Sequence, residues 1–375
     1  MTTTTEQVFW ELLKAGLWGT TPHVDKKLND EEWKEVIEQA KRQTLLGILF
    51  DGMLRLPADL QPEEETRLKW FWKVNKIEQA NCKLNQILVE FTGKLENEGI
   101  NSLLLKGQAY ASLYPIPLHR QCGDIDLLIG RKNYKRVCIW VKEQGLISSK
   151  DEERFHHQSL KYQSIEVELH RVAAKFANPL KHKSFAKWGE LNLFTSTKHF
   201  IPLTEEKEIN IPELGFNVVY VFYHLFTHFF IGGVGLRQLC DWARMLHVYH
   251  GEINQTELKH NLSYYGLVHP WQAFGYIIVH LIGLPQKEFP FYKDTNTKSD
   301  KILEDILEQG NFGHYAKNKL PYSPNYVIRK CKRFLFHTHR YIDTFKLFPL
   351  WGLGAFMLFI YERGIHFFTD YFKRK

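Results

Sequence analysis

The run Asp124-Ile125-Asp126-Leu127-Leu128-Ile129-Gly130 limits what this chain can build more than any other stretch. It alternates acid with apolar residue and then turns wholly apolar, as a mostly buried strand does. Side chains alternate faces along a strand. Asp124 and Asp126 therefore share one face, while Ile125, Leu127 and Ile129 enter a core on the other. Two hard oxygen ligands side by side suit Mg²⁺, which takes carboxylates together with substrate phosphates. Acid–apolar–acid triplets also occur at solvated strand ends, so the neighbours decide what this one means.

Upstream, Asn101–Leu105 is a short apolar run after Gly99, a strand candidate. Gly107–Tyr114 has the length of a helix and is stopped by Pro115 and Pro117. Lys106-Gly107 thus falls between strand and helix, where exposed N–H groups and the helix dipole favour a phosphate. Lys106 would add charge and Gly107 would permit close approach; the plain alternative is a turn with a surface lysine. Downstream, His157–Tyr162 and Ile165–His170 read as antiparallel strands joined by a tight turn at Gln163-Ser164. Glu166, Glu168 and His170 share one face, opposite Ile165, Val167 and Leu169. One glutamate would complete a metal site or take a proton from an acceptor hydroxyl; the alternative is a half-exposed strand with a polar outer face.

The flanks read as helix. Glu6–Lys14, Glu31–Phe50 after Asn29-Asp30, and Glu63–Gly99 precede the strands; Trp33, Val36, Ile37, Ala40 and Leu45 recur at helical spacing. Trp10, Trp18, Trp33, Trp70 and Trp72 read as core. Arg131–Gln144 is a helix closed by Gly145. From about residue 205 the helical pattern returns, with Phe216–Phe230, a break at Gly232-Gly233, and Leu236–Tyr249; Asp294–Ser299 and Asn318–Asn325 read as loops. A chain of 375 residues accommodates two or three domains or subdomains. The expected fold class is α+β: a small mixed-sheet core over 100–204, flanked by helical regions over 1–99 and 205–375.

The net charge of +7 would suit nucleotide, nucleic acid or acidic lipid, selects none of them, and no other feature points to nucleic acid. Five widely spaced cysteines form no CxxC pair, which argues against zinc ribbons and thioredoxin-type chemistry and suits free thiols in a reducing cytoplasm. The N-terminus lacks the basic and apolar regions of a secretory signal. The longest apolar run, Leu347–Tyr361, is shorter than the roughly 20 residues a spanning helix needs and contains Pro349, Gly352 and Gly354. It reads as a packed C-terminal helix; with the basic end Lys373, Arg374 and Lys375, the alternative is a weak interfacial membrane contact.

Strand, glycine turn, helix, Asp-x-Asp on the next strand and an acid on a later one together resemble the polymerase-beta-like nucleotidyltransferase superfamily. More narrowly, Leu103-Leu104-Leu105-Lys106-Gly107, Arg120, the Asp124–Gly130 run and Val167-Glu168-Leu169-His170 look like the uncharacterised bacterial nucleotidyltransferase family of type 5. The resemblance is specific over Leu103–Gly130. It implies that Asp124 and Asp126 are the metal-binding pair and Glu168 the third carboxylate. It sets Gly107 on the glycine of the superfamily's Gly-Ser turn. The serine that faces the triphosphate has no equivalent, because Lys106 precedes the glycine and Gln108 follows it; Lys106, with Gln108 beside it, would replace that grip. Arg120, in a proline-rich loop, would hold a phosphate or pair with Asp124.

The expected activity is Mg²⁺-dependent (or Mn²⁺-dependent) transfer of a nucleoside monophosphate from a nucleoside triphosphate to a hydroxyl on an acceptor: protein, sugar, metabolite or RNA. The alternative is a non-catalytic nucleotide-binding or regulatory module of the same fold, which the missing serine favours. Further residues read as supporting. His224 and His228 have the spacing of zinc metalloproteases, but Leu225 stands where their glutamate would, so two helix-face histidines near the core are the better reading. Arg237, Asp241 and Arg244 read as a helix-surface ion network, or as a helix lining the acceptor side of the cleft. His156 is read as surface. His157 would face the site with His170, itself a supporting residue, and no cysteine or acid in the sequence pattern completes a zinc set with them.

Overall fold

A computed structural model of the chain describes residues 3–146, 157–195, 199–203, 207–294, 298–315 and 324–372. His156 and most of the Asn318–Asn325 loop lie outside them. Helices α1 (Thr3–Trp18), α2 (Asp30–Arg42), α3 (Leu46–Met53) and α4 (Glu64–Asn97) come first. The middle is β1 (Leu103–Leu104), α5 (Gln108–Ala111), β2 (Ile125–Leu128), α6 (Gly130–Glu143), β3 (His157–Tyr162), β4 (Ile165–His170) and α7 (Pro179–Leu191). A hairpin of β5 (His199–Pro202) and β6 (Glu208–Ile211) follows. The remainder is helical: α8 (Leu214–Ile231), α9 (Leu236–Tyr249), α10 (Gln255–Tyr265), α11 (Val268–His280), α12 (Ser299–Gln309), α13 (Tyr326–Leu347) and α14 (Pro349–Phe372). The architecture is α+β with helical flanks.

The four-stranded sheet runs β1-β2-β4-β3, with β2 parallel to β4 and the outer pairs antiparallel. All of β2 is buried, as expected of a strand paired on both sides. The β3–β4 turn falls on Gln163 and Ser164, both at positive φ (46° and 71°), the backbone that two-residue hairpins need to match strand twist. One apolar cluster extends from Phe9 and Trp33 through Ile125 and Val167 to Trp242 and Phe348, so sheet and flanking helices share a core.

Several local readings change. Glu31–Phe50 is not one helix: Thr44 at φ 60° separates α2 from α3. The Gln43 side chain beside this break donates to the Ile306 carbonyl (3.1 Å) and accepts from the Leu236 N–H (2.9 Å), tying the N-terminal helices to α9 and α12. Asn29 caps α2 in a capping box with Glu32. Trp72 is 61% exposed and is not core. Strand β6 stands where helix was expected to resume. The apolar run Leu347–Tyr361 straddles α13 and α14: Phe348 and Trp351 pack on Phe226 of α8, while Leu350, Leu353 and Met357 are exposed. Among the described residues no helix is long and apolar enough to cross a membrane.

Candidate active site

The proline-rich loop between α5 and β2 is fixed by buried polar contacts before it delivers Asp124. Asn81 of α4 donates to the carbonyls of Leu118 (2.6 Å) and Arg120 (3.0 Å) and accepts from the Cys122 N–H (3.3 Å). His119 lies between Asp51 (2.6 Å) and Glu78 (2.9 Å). Gly47 of α3 is required here, because a Cβ would lie 2.3 Å from the His119 carbonyl oxygen.

Asp126 pairs with Glu168 in the parallel register of β2 on β4, so the two carboxylates project from one face. Asp124, Asp126 and Glu168 each present an oxygen within 4.8 Å of the others. Asp126 is wholly buried. Its Oδ2 lies 3.0 Å from Lys106 Nζ and its Oδ1 2.8 Å from His170 Nε2. Lys106 also approaches Asp124 (3.6 Å), and His170 approaches Glu168 (3.3 Å). Glu166, on the same strand face, is exposed at the far end of β4 and is not in this group.

These contacts set the charge states. Burial would raise the Glu168 carboxyl, but the hydrogen bond and charge of His170 outweigh it and hold it near 2. Burial would discharge His170, but its hydrogen bonds to Asp126 and Glu168 raise it from 6.5 to about 9. Burial acts against both charges of the Lys106–Asp126 pair, and each is kept ionised chiefly by the other. Three carboxylates thus face two cations, leaving one net negative charge.

A pH dependence of stability follows. The folded protein binds the His170 proton more tightly than the unfolded chain does. That contribution is complete below about pH 6.5 and is lost as pH rises through about 9. Urea unfolding at pH 6.5 and near pH 10 is expected to differ by about 3 kcal/mol from this group, and the difference should shrink in His170→Gln. An equal alkaline loss in that variant would remove His170 as its source.

Gly107 has φ 67° and ψ −114°, a backbone suited to glycine. α5 behind it is only four residues long, not the helix expected over Gly107–Tyr114, so its dipole contributes little to anion binding. Gln108 is buried, and among the described residues neither of its amide atoms has a hydrogen-bond partner.

A cleft beside the carboxylates is lined by Lys106, Gly107 and Asp124 on the core side and by His224, Arg237 and Asp241 of α8 and α9 on the other. Arg120 does not pair with Asp124. Its Nε donates to Asp241 Oδ1 (3.0 Å) and its Nη2 to Asp241 Oδ2, a two-pronged buried pair joined by the Tyr114 hydroxyl (2.8 Å). Arg237 and Asp241 are therefore no surface network: both are buried, and Arg237 donates to the Gln121 carbonyl. Arg244 is also buried, bonded to the carbonyls of Leu113 and Leu17. The sequence placed these three on one helix face; it carried no local sign that the face closes on the core.

The rings of His224 and His228 lie 4.4 Å apart, and burial holds both neutral, His228 near 4. They do not join a metal-ligand group among the described residues, whereas His157 does. The β3–β4 register sets it opposite His170, and Glu168 supplies the acid that the sequence pattern did not reveal.

The chain belongs to a family of uncharacterised nucleotidyltransferases, whose model matches residues 29–283. The match takes in the carboxylates and both walls of the cleft, α8 and α9 included. No curated protein and no solved structure matches the chain.

Proposed function

Starting from membership of a nucleotidyltransferase family, we propose that the chain transfers a nucleoside monophosphate from a nucleoside triphosphate to a hydroxyl acceptor. The acceptor hydroxyl oxygen forms a bond to the α-phosphorus, the bond from that phosphorus to the oxygen bridging to the β-phosphate breaks, pyrophosphate leaves, and the hydroxyl proton is lost to solvent. The observation that carries this reading is the parallel register that sets Asp126 beside Glu168, with Asp124 on the same face.

The donor set fits a hard divalent cation: three carboxylates whose oxygens lie within 4.8 Å of one another, with Asp126 wholly buried among them. Asp124, Asp126 and Glu168 would hold Mg²⁺, or Mn²⁺ in its place, which when bound would neutralise charge on the phosphates and the reacting oxygens. The chain's own residues contribute by position and charge. Lys106 touches both aspartates and faces the cleft, so it is placed to take the triphosphate charge that a turn serine would otherwise meet. Arg237 offers a second cation from the opposite wall. Arg120 is a positioning residue, since its guanidinium is bonded to Asp241. The hydrogen bond and charge of His170 keep Glu168 ionised, so it adds its negative charge to the donor set. His224, neutral, lines the wall without adding charge, with the His228 ring packed against it.

The test is pyrophosphate release, or label transfer to protein, with each nucleoside triphosphate and Mg²⁺ or Mn²⁺ across hydroxyl acceptors. Release is expected with the wild-type chain and absent in Asp124→Asn/Asp126→Asn. Equal release by both proteins overturns the mechanism. The absence of a turn serine favours a second reading, a nucleotide-binding module without turnover; saturable nucleotide binding with no release under any acceptor would select it.

A further inference from the structure

The imidazoles of His157 and His170 face one another across β3 and β4, with ring centroids 5.5 Å apart. Glu168 lies diagonal to His157 on the same sheet face, within reach of both rings. His170 Nε2 is 3.3 Å from Glu168 Oε2, and His157 Nε2 is 3.9 Å from Glu168 Oε1. One ligand atom from each of the three residues lies within 4.8 Å of the others. The 3.3 Å separation suits two donors on a single ion, and His157 would join them by closing about 0.5 Å. Metal bonds of about 2.1 Å put neighbouring ligands about 3.0 Å apart in an octahedron and about 3.4 Å apart in a tetrahedron.

We infer that His157, Glu168 and His170 form a second cation position, adjoining the carboxylate one and sharing Glu168, which takes a divalent transition-metal ion in preference to Mg²⁺. The preference follows from the donors. Imidazole nitrogen suits borderline ions such as Co²⁺, Ni²⁺ and Zn²⁺, whereas Mg²⁺ keeps to oxygen and water. The two positions are therefore chemically distinct although they share a ligand. His170 Nε2 is aimed at Glu168 Oε2 and Asp126 Oδ1, so an ion on the imidazole would meet acid oxygens beside it.

Titration of the full-length protein with Co²⁺, without nucleotide and with Mg²⁺ in about 100-fold excess, tests the assignment through the visible absorption of bound cobalt. One Co²⁺ is expected to stay bound. His157→Ala and the more conservative His157→Gln should each weaken it at least about 10-fold, with folding checked by thermal unfolding. Asp124→Asn should retain it. Displacement of all cobalt by Mg²⁺, or wild-type affinity in both His157 variants, overturns the proposal. The inference does not rest on the transfer reaction. Cobalt retained by Asp124→Asn supports this site whether or not the wild type releases pyrophosphate, and pyrophosphate release from a protein without the cobalt signal would leave the transfer reading standing.

Discussion

Asp126→Asn is expected to lower nucleotidyl transfer at least about 10³-fold, equivalent to roughly 4 kcal/mol in the barrier, while leaving a folded protein. The side chain keeps its shape but loses its charge at a wholly buried position. Two effects combine. The cluster falls from one net negative charge to none, because Lys106 and His170 remain as cations beside Asp124 and Glu168. The new amide must also present N–H donors towards Lys106 or His170, both donors themselves, since these two groups occupy the two Asp126 oxygens. Pyrophosphate release under saturating Mg²⁺, measured well below the melting temperature, checks the rate, and far-UV circular dichroism checks the fold. Activity within tenfold of wild type in a well-folded variant would remove Asp126 from the reaction.

Half of this site was legible in the sequence because strand periodicity is a local property. Asp124 and Asp126 had to share a face, and so did Glu168 and His170, whatever the rest of the chain did. The same alternation located the β3–β4 hairpin to the residue, at Gln163 and Ser164. The parallel pairing of β2 with β4 is long-range; no pattern within either strand specifies it, yet it is what sets Asp126 beside Glu168. The opposite wall of the cleft was illegible for a related reason. Arg237, Asp241 and Arg244 have the spacing of a solvated ion network, and only the packing of α9 on the core loop buries them. The helix itself gave no warning: Leu236, Leu239, Cys240, Trp242, Ala243, Met245 and Leu246 leave one face open, and all three charged residues fall on it. The grouping of His157 with Glu168 and His170 was illegible because the acid lies on the neighbouring strand, eleven residues further along the chain. The break at Thr44 was missed because a non-glycine residue at positive φ leaves no compositional mark.

Asp241→Ala is expected to cost about 3–5 kcal/mol of folding stability, the range for breaking a buried ion pair by removing one partner. Arg120 and Asp241 are 5% and 4% exposed at the side chain. Truncating Asp241 leaves the Arg120 guanidinium and the Tyr114 hydroxyl buried without their acceptor, and leaves Arg120 facing the like charge of Arg237. The effect is one of stranded charge more than of lost attraction. The double variant Arg120→Met/Asp241→Leu should therefore be more stable than Asp241→Ala, the reverse of what independent contributions would give. Urea denaturation of wild type, Arg120→Met, Asp241→Leu and the double variant measures the coupling directly. A loss under 1 kcal/mol in Asp241→Ala would show that water reaches the pair. The consequence extends to the cleft, because Arg120 stands four residues before Asp124 and Asp241 one helical turn after Arg237. The pair thus sets how far the carboxylates stand from the cation on the opposite wall. Arg120→Lys keeps the charge but cannot reproduce the two-pronged contact. It should lower transfer by loosening that spacing even where the protein remains folded.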